Sequence, residues 1–451
     1  MAACCCGLKT NPASARAAFA RRVCLTSKKT LPTLKLIWQE ELMSKSERMM
    51  PRTAHFNGWR DPENVRWHLR NLSTLPALMV PRGGPVYDLP TGTAREIENF
   101  SYDWQGEKLT LGSAMTQDCI DGYLVVHEGK LVFERYYDGF RDSDHHIWFS
   151  MTKSLISTAF GIAQARLDID ESKPPAHYLP ELADSVFGQV SIRNVLNMVT
   201  ALDYTEEYDE MTPGSVHLEY FRRLGFMADF SLYSINPAVS DEPRGVRDML
   251  PQFRQADDGV TGAMFQYQSP NVDVIGWLVE RVTGEPIVDF IRENIWAPLG
   301  AEHDAVFTTD VSFAPIATGG YNTTLRDAAR FGLMALNDGR LGETQIAPES
   351  WIKDTYNMRE EDHAAGAASV NADADHERFI DGFSGYRSFW WQFDAGQGER
   401  VAMGVHGQVI YVNRAKNLVI ANFASPQTTA NQLRPTFKQM LAGTRALAAS
   451  F

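Results

Sequence analysis

The chain has 451 residues, enough to bury a large core, and its 44% apolar and 22% charged side chains are an ordinary globular balance. With 43 basic against 56 acidic side chains the formal net charge is -13, which speaks against a nucleic-acid partner and weakly favours neutral or cationic substrates. No apolar run of about 18 residues occurs, so no membrane-spanning helix is expected.

Residues 1–39 carry Lys and Arg but no acidic side chain before Glu40, a balance shared with transit peptides, yet they lack the contiguous apolar stretch of a secretion signal. Residues 1–50 are therefore expected to be a poorly ordered extension, with Met43 or Met49 as an alternative start, and residues 51–451 the folded domain. Cys4, Cys5, Cys6 and Cys24 cluster in that extension and leave Cys119 alone. A disulfide framework is not expected, and a reducing cytoplasmic compartment fits.

Residues 53–100, with scattered Trp, Pro and Arg, read as an irregular wrapping segment. Gly122 to Tyr137 reads as a β-hairpin, with two β-branched and aromatic runs about a turn at Glu128-Gly129. Leu155, Ile156, Ala159, Phe160, Ile162 and Ala163 then mark a strongly apolar helix that begins just after Ser150. Val272, Ile275, Leu278, Val279 and Val282 mark another, opened by Ser269-Pro270 and stopped by Gly284. Arg326 to Asn337 is a third, and the small, polar residues 362–376 suggest a loop. His406 to Val412, a turn at Asn413-Arg414, and Leu418 to Phe423 form a second hairpin, followed by a closing helix from Gln432 to Ala449. β-Rich ends around a helical middle predict an α/β fold: a mixed sheet built from both chain ends and flanked by helices, with a mostly helical insert over about residues 166–262.

Three segments could carry chemistry. In Phe149-Ser150-Met151-Thr152-Lys153 the serine stands at a helix start and the lysine one turn along the same face. A serine hydroxyl needs a neighbouring base, and a lysine serves only where burial or positive charge leaves it neutral. Ser350-Trp-Ile-Lys353 repeats the spacing but reads as an ordinary helix start. Tyr267, before the Ser269-Pro270 helix start, could offer a phenol to a cleft and shuttle a proton. Gly404-Val-His406-Gly407-Gln408-Val409 places glycine inside a β-run, where something approaches the backbone closely. Gly-x-Ser-x-Gly and His-Glu-x-x-His do not occur, and no metal or cofactor is expected.

The order Ser-x-x-Lys, Tyr loop, His-containing Gly strand resembles the serine β-lactamases and penicillin-binding proteins. Trp148 to Leu155, Ser191 to Met198, Tyr267 to Trp277, Gly319 to Gly332 and His406 to Val412 are most similar to family VIII carboxylesterases and, nearest, nylon-oligomer (6-aminohexanoate-dimer) hydrolases. The resemblance implies a β-lactamase/transpeptidase-like fold, Ser150 as nucleophile, and Lys153 and Tyr267 as the base pair, with the choice between them left open. It further implies an oxyanion hole from the backbone N–H groups of Ser150 and Val409, and substrate contacts from Tyr208, His406, Gly407, Gln408, Trp390 and Trp391. The lactamase Tyr-x-Asn is here Tyr267-Gln268-Ser269 and the Lys-Thr-Gly is His406-Gly407-Gln408, which argues against efficient penicillin turnover. The expected activity is hydrolysis of a small ester or linear amide through an acyl-enzyme, by a monomer or homodimer. The alternatives are an idle relative that binds a peptide or ligand, and a D-amino-acid peptidase or transesterase.

Overall fold

In the computed structural model, which describes residues 64–71, 75–206, 212–226, 245–372, 379–431 and 434–451, the two β-rich ends of the chain meet in one sheet. The expected extension over residues 1–50 lies outside the described residues. The first elements are α1 (Val65–Asn71), β1 (Ala77–Val80), a small hairpin of β2 (Ser101–Trp104) and β3 (Glu107–Thr110), and α2 (Leu111–Gln117). The segment around residues 64–80 is thus less irregular than its composition suggests. The predicted hairpin follows as β4 (Ile120–His127) and β5 (Lys130–Tyr136), its turn made by Glu128 and Gly129 at φ 50° and 72°.

After β6 (His146–Ile147), a single tight turn over Phe149–Met151 leads into α3 (Thr152–Leu167). The helical middle contains α4 (Ile192–Leu196), α5 (Val216–Leu224), α6 (Pro270–Thr283) and α7 (Ile287–Ile291). Then come β7 (Ala305–Thr308), β8 (Tyr321–Thr323), α8 (Leu325–Leu336), the short pair β9 (Arg340–Leu341) and β10 (Thr344–Gln345), α9 (Glu349–Tyr356) and α10 (Glu360–Ala372). The chain closes with β11 (Gly385–Arg387), β12 (Trp390–Gln392), β13 (Glu399–Gly404), β14 (Gln408–Asn413), β15 (Leu418–Ala424) and α11 (Pro435–Ala449).

The main sheet has seven strands in the order β11-β12-β13-β14-β15-β4-β5, and each ladder between neighbours is antiparallel. Its one parallel pairing is an isolated bridge from Thr91 to Leu131 on β5. Alternation along β4 assigns Leu124 and Val126 to one core cluster and Tyr123 and Val125 to the other, so both faces are covered. α8 covers one face, and Gly332 lets it approach until a Cβ there would lie 2.6 Å from Val419. A second sheet, ordered β1-β7-β8-β6, holds the strand that precedes Ser150.

Residues 360–372, in the stretch expected to be a loop, form α10. Alanine is the best helix former, the Arg359 N–H donates to the Asp362 carboxylate at 3.0 Å, and Asp362 pairs with Arg387 at 2.6 Å. Gly366 then allows the helix to lie against Gly385.

Helix α3 is buried on every side from Thr152 to Ala163, which marks a core helix rather than an amphipathic surface one. It ends at Asp168, whose left-handed conformation (φ 51°) turns the chain away. Each buried Leu, Ile or Phe on it contributes about 1.5–3 kcal/mol. Opposite Trp351 of α9 the helix carries Gly161, where an added Cβ would meet the indole at 2.2 Å. Gly161→Val is therefore expected to destabilise the domain by about 1–3 kcal/mol, seen as a lower Tm in thermal denaturation.

Candidate active site

Ser150 sits on the tight turn ahead of α3, half-buried, on the wall of an open cleft of about 390 Å³. The turn is held open by strain: Phe149, a bulky residue, adopts φ 45°, a left-handed conformation that costs about 1–2 kcal/mol. Gly404, at the end of β13, packs against this turn. A Cβ there would lie 2.1 Å from the Trp148 carbonyl oxygen, so only glycine lets the sheet come so close to Ser150.

One helical turn on, Lys153 is buried, and its Nζ donates to Ser150 Oγ at 2.9 Å. It also donates to the Thr318 carbonyl oxygen and to Thr318 Oγ1, both at 2.8 Å. The amine is thus fully occupied by neutral acceptors. Burial pushes its pKa down to about 8, although the Glu206 and Asp273 carboxylates pull it the other way.

Tyr267 closes the triangle. Its phenol lies near enough to Ser150 for the serine to act on its pKa, and its ring lies 5.2 Å from Lys153 Nζ. Burial, and then the Glu206 charge, hold the phenol well above the usual range for tyrosine, so it stays protonated. The ring stacks on Trp391 at 5.3 Å and meets Tyr386 edge-on at 6.1 Å, which fixes its direction. The three side chains separated by 117 residues of sequence therefore converge on one hydroxyl.

The other expected site residues divide. Trp391 touches Tyr267, but Trp390 is buried on the far face, stacked on Phe331 and beside the Arg400 guanidinium at 4.1 Å. Tyr208 lies outside the described residues. Val409 is not at the cleft: it pairs with Met403 on one side and Asn422 on the other, inside the sheet. Val405, directly after Gly404, is the strand residue that lines the cleft with Ser150. The chain reverses over residues 405–407, so Gln408 and Val409 return along β14, while Thr429, further on, again lines the cleft.

His406, Gly407 and Gln408 are buried and build that reversal. His406 (φ 59°) hydrogen-bonds through Nδ1 to the Pro426 carbonyl at 2.8 Å, and the Gly407 N–H donates to Asn431 Oδ1 at 2.8 Å. Gln408 is buried, and its amide donates to the carbonyls of Val405, His406 and Ala424 while accepting from the Ala424 N–H.

Several cleft residues had no individual signal in the sequence. Glu206 accepts from the Ser269 N–H and hydroxyl, both at 2.8 Å, and lines the cleft beside Lys153. Thr318 holds Lys153 partly through a carbonyl, which no residue type announces. Phe149, Phe221 and Phe226 form an apolar wall. Asp273 was legible in principle, as an acid inside the otherwise apolar run of α6. Among the described residues, no group of three or more His, Cys, Asp or Glu could hold a metal ion, and no helix is long and apolar enough to cross a membrane.

A family model described as Beta-lactamase matches residues 118–441. The 6-aminohexanoate-dimer hydrolase of Paenarthrobacter ureafaciens is 29% identical over 372 residues, covering 82% of this chain and 87% of its own. Among solved structures, one assigned as a 6-aminohexanoate-dimer hydrolase from Bacillus anthracis superposes with a TM-score of 0.74 at 23% identity, over 89% of this chain and 98% of that one. A family VIII carboxylesterase shares the fold with a TM-score of 0.51 at 14% identity, over 79% and 99%.

The structural role of the reversal is testable without knowledge of the substrate. Gln408→Ala strands three buried carbonyls and one N–H, and is expected to cost about 1–3 kcal/mol, read in a urea or thermal unfolding curve. The KM of the folded variant is expected to stay at the wild-type value.

Proposed function

The chain belongs to the Beta-lactamase family, and from that premise and the geometry above we propose that it is a serine hydrolase that cleaves small esters or linear amides through an acyl-enzyme on Ser150. The observation that carries this reading is the 2.9 Å hydrogen bond from the buried Lys153 amine to the Ser150 hydroxyl, with the Tyr267 ring 5.2 Å from that amine. A hydroxyl in a cleft, an amine whose pKa burial has lowered, and a protonated phenol are the nucleophile, base and acid that acyl transfer needs.

Lys153 is the base. As Ser150 Oγ bonds to the acyl carbon, the neutral amine takes the hydroxyl proton and the carbonyl electron pair moves to oxygen. That oxyanion rests on the backbone N–H groups of Ser150 and Val405, one at a helix start and one at the end of β13; a donor of this kind contributes about 3 kcal/mol to the transition state. When the tetrahedral species collapses, the bond to the leaving oxygen or nitrogen breaks. The leaving atom takes a proton from the Tyr267 phenol, which recovers one from the Lys153 ammonium. Water then attacks the ester carbon and gives a proton to Lys153; the bond from the acyl carbon to Ser150 Oγ breaks, Oγ takes that proton back, and the acid leaves.

The substrate class follows from the walls. Three phenylalanines favour an apolar acyl or leaving group, and Lys153 is the one cationic side chain among the described residues that line the cleft, already engaged with Ser150. A β-lactam carboxylate would find no second cation there. The 6-aminohexanoate-dimer hydrolase relative supports a linear amide as the second substrate type, beside esters.

A fluorophosphonate probe is expected to place one adduct on Ser150, mapped by peptide mass, and Ser150→Ala to remove both the adduct and at least about 10³-fold of kcat/KM for a p-nitrophenyl ester. An unlabelled Ser150 would overturn the assignment. A chromogenic cephalosporin is expected to turn over far more slowly than the ester. The base must be neutral, so kcat/KM is expected to rise with pH through an apparent pKa near 8 and to fall away below it.

A further inference from the structure

Behind the Ser150–Lys153–Tyr267 cluster lies a buried carboxylate that the mechanism above does not use. Asp273 projects from α6, where its neighbours Val272, Val274, Ile275, Leu278 and Val279 are all buried and apolar. An acid in such a place is costly unless its charge is balanced. Its two oxygens are shared between the site and the helical insert: Oδ1 accepts from the Thr318 N–H at 3.2 Å, and Oδ2 accepts from the Tyr220 hydroxyl. Thr318 is the residue whose carbonyl and hydroxyl hold the Lys153 amine. On its other side Asp273 borders a second cavity, lined also by Arg247, Trp277 and Asp310, so the carboxylate is not sealed from proton exchange.

We propose that Asp273 is a positioning residue for the reaction: through Thr318 it fixes the place of the Lys153 amine, and its negative charge governs how readily that amine releases its proton. This inference rests on the reading of Lys153 as the base. An asparagine could make the same two hydrogen bonds, with its amide oxygen toward Thr318 and its amide nitrogen toward the tyrosine oxygen. What an asparagine cannot supply is charge beside an amine whose own hydrogen bonds go to Ser150 and Thr318 and not to a carboxylate.

The electrostatics run in a definite direction. Burial raises the Asp273 carboxyl to about 7, while the Tyr220 hydrogen bond and the Lys153 charge lower it, and the nearby Asp310 raises it. Ionised Asp273 stabilises the ammonium form of Lys153, and so does Glu206 from the cleft side. Tyr204 and Tyr220, from the helical insert, are held neutral by burial and by these same acids. Tyr267 is held neutral in the same way, by burial and Glu206. Arg247, across the second cavity, is paired with Glu280. Loss of the Asp273 charge therefore leaves a lysine that is neutral at lower pH.

The test follows the rate of fluorophosphonate labelling of Ser150 in the full chain from acid to alkaline pH, with circular dichroism to confirm folding. Asp273→Asn is expected to move the midpoint of the profile toward acid by roughly one pH unit, the scale on which a neighbouring charge acts. Tyr220→Phe, which removes a donor that favours the ionised carboxyl, is expected to move it the same way by less, and decides alone should Asp273→Asn not fold. Labelling with the wild-type midpoint in the folded variants, or a midpoint moved toward alkali, overturns this inference and leaves the nucleophile in place. No adduct on wild-type Ser150 at any pH removes the nucleophile and this inference together.

Discussion

An amine that must act as a base has to be kept out of water without being given a carboxylate to bind. The surroundings of Lys153, proposed above as that base, meet the constraint. A direct ion pair would hold the ammonium form and disable it, whereas an unpartnered buried ammonium would be too costly to fold around. The structure resolves the conflict with neutral acceptors, the Ser150 hydroxyl and both oxygens of Thr318, and keeps its acids one step away. The amine is held in place, yet its proton is only loosely held.

The scaffold serves that arrangement through rigidity. Lys153 rides on a helix buried all round from Thr152 to Ala163, and Ser150 on the turn that leads into it. The turn before the helix is strained at Phe149, and the strain persists because β13 presses Gly404 against it. Tyr267 is fixed from the opposite side by Trp391 and Tyr386, both from the C-terminal strands. The reacting atoms thus meet where the buried helix, the sheet and the loop before α6 come together, and each contributes a group it could not position alone.

The chain reversal at residues 405–407 shows how the same fold can change its chemistry. His406 Nδ1, the Gly407 N–H and the Gln408 amide are engaged in building the turn, and directly after β13 the chain presents Val405, an apolar side chain, to the cleft. An uncharged strand end beside an aromatic wall suits neutral acyl groups.

Much of this was legible in the residues themselves. Period-2 and helical patterns located both hairpins, the helix behind Ser150 and the helix after Ser269-Pro270, because burial against a single core imposes those periods directly. The spacing from Ser150 to Lys153 is local, so one helical turn was enough to pair them. The glycine-containing strand was also recognised, but the reversal of three residues within it leaves no periodic trace; only the fold shows that Gly404 packs against the turn carrying Ser150 and that Val405, rather than Val409, lines the cleft. The stretch from residue 362 was misread as a loop because small side chains mark both loops and helices, and the Asp362–Arg387 pair and the packing of Gly366 on Gly385 that favour the helix are tertiary. Lys153, Thr318 and Asp273 belong together solely through contacts between segments far apart in the chain. Local sequence sets which groups are available and which faces are apolar; which of them touch, and hence which proton each can hold, is set by tertiary packing, since burial and neighbouring charge exist only once the chain has folded.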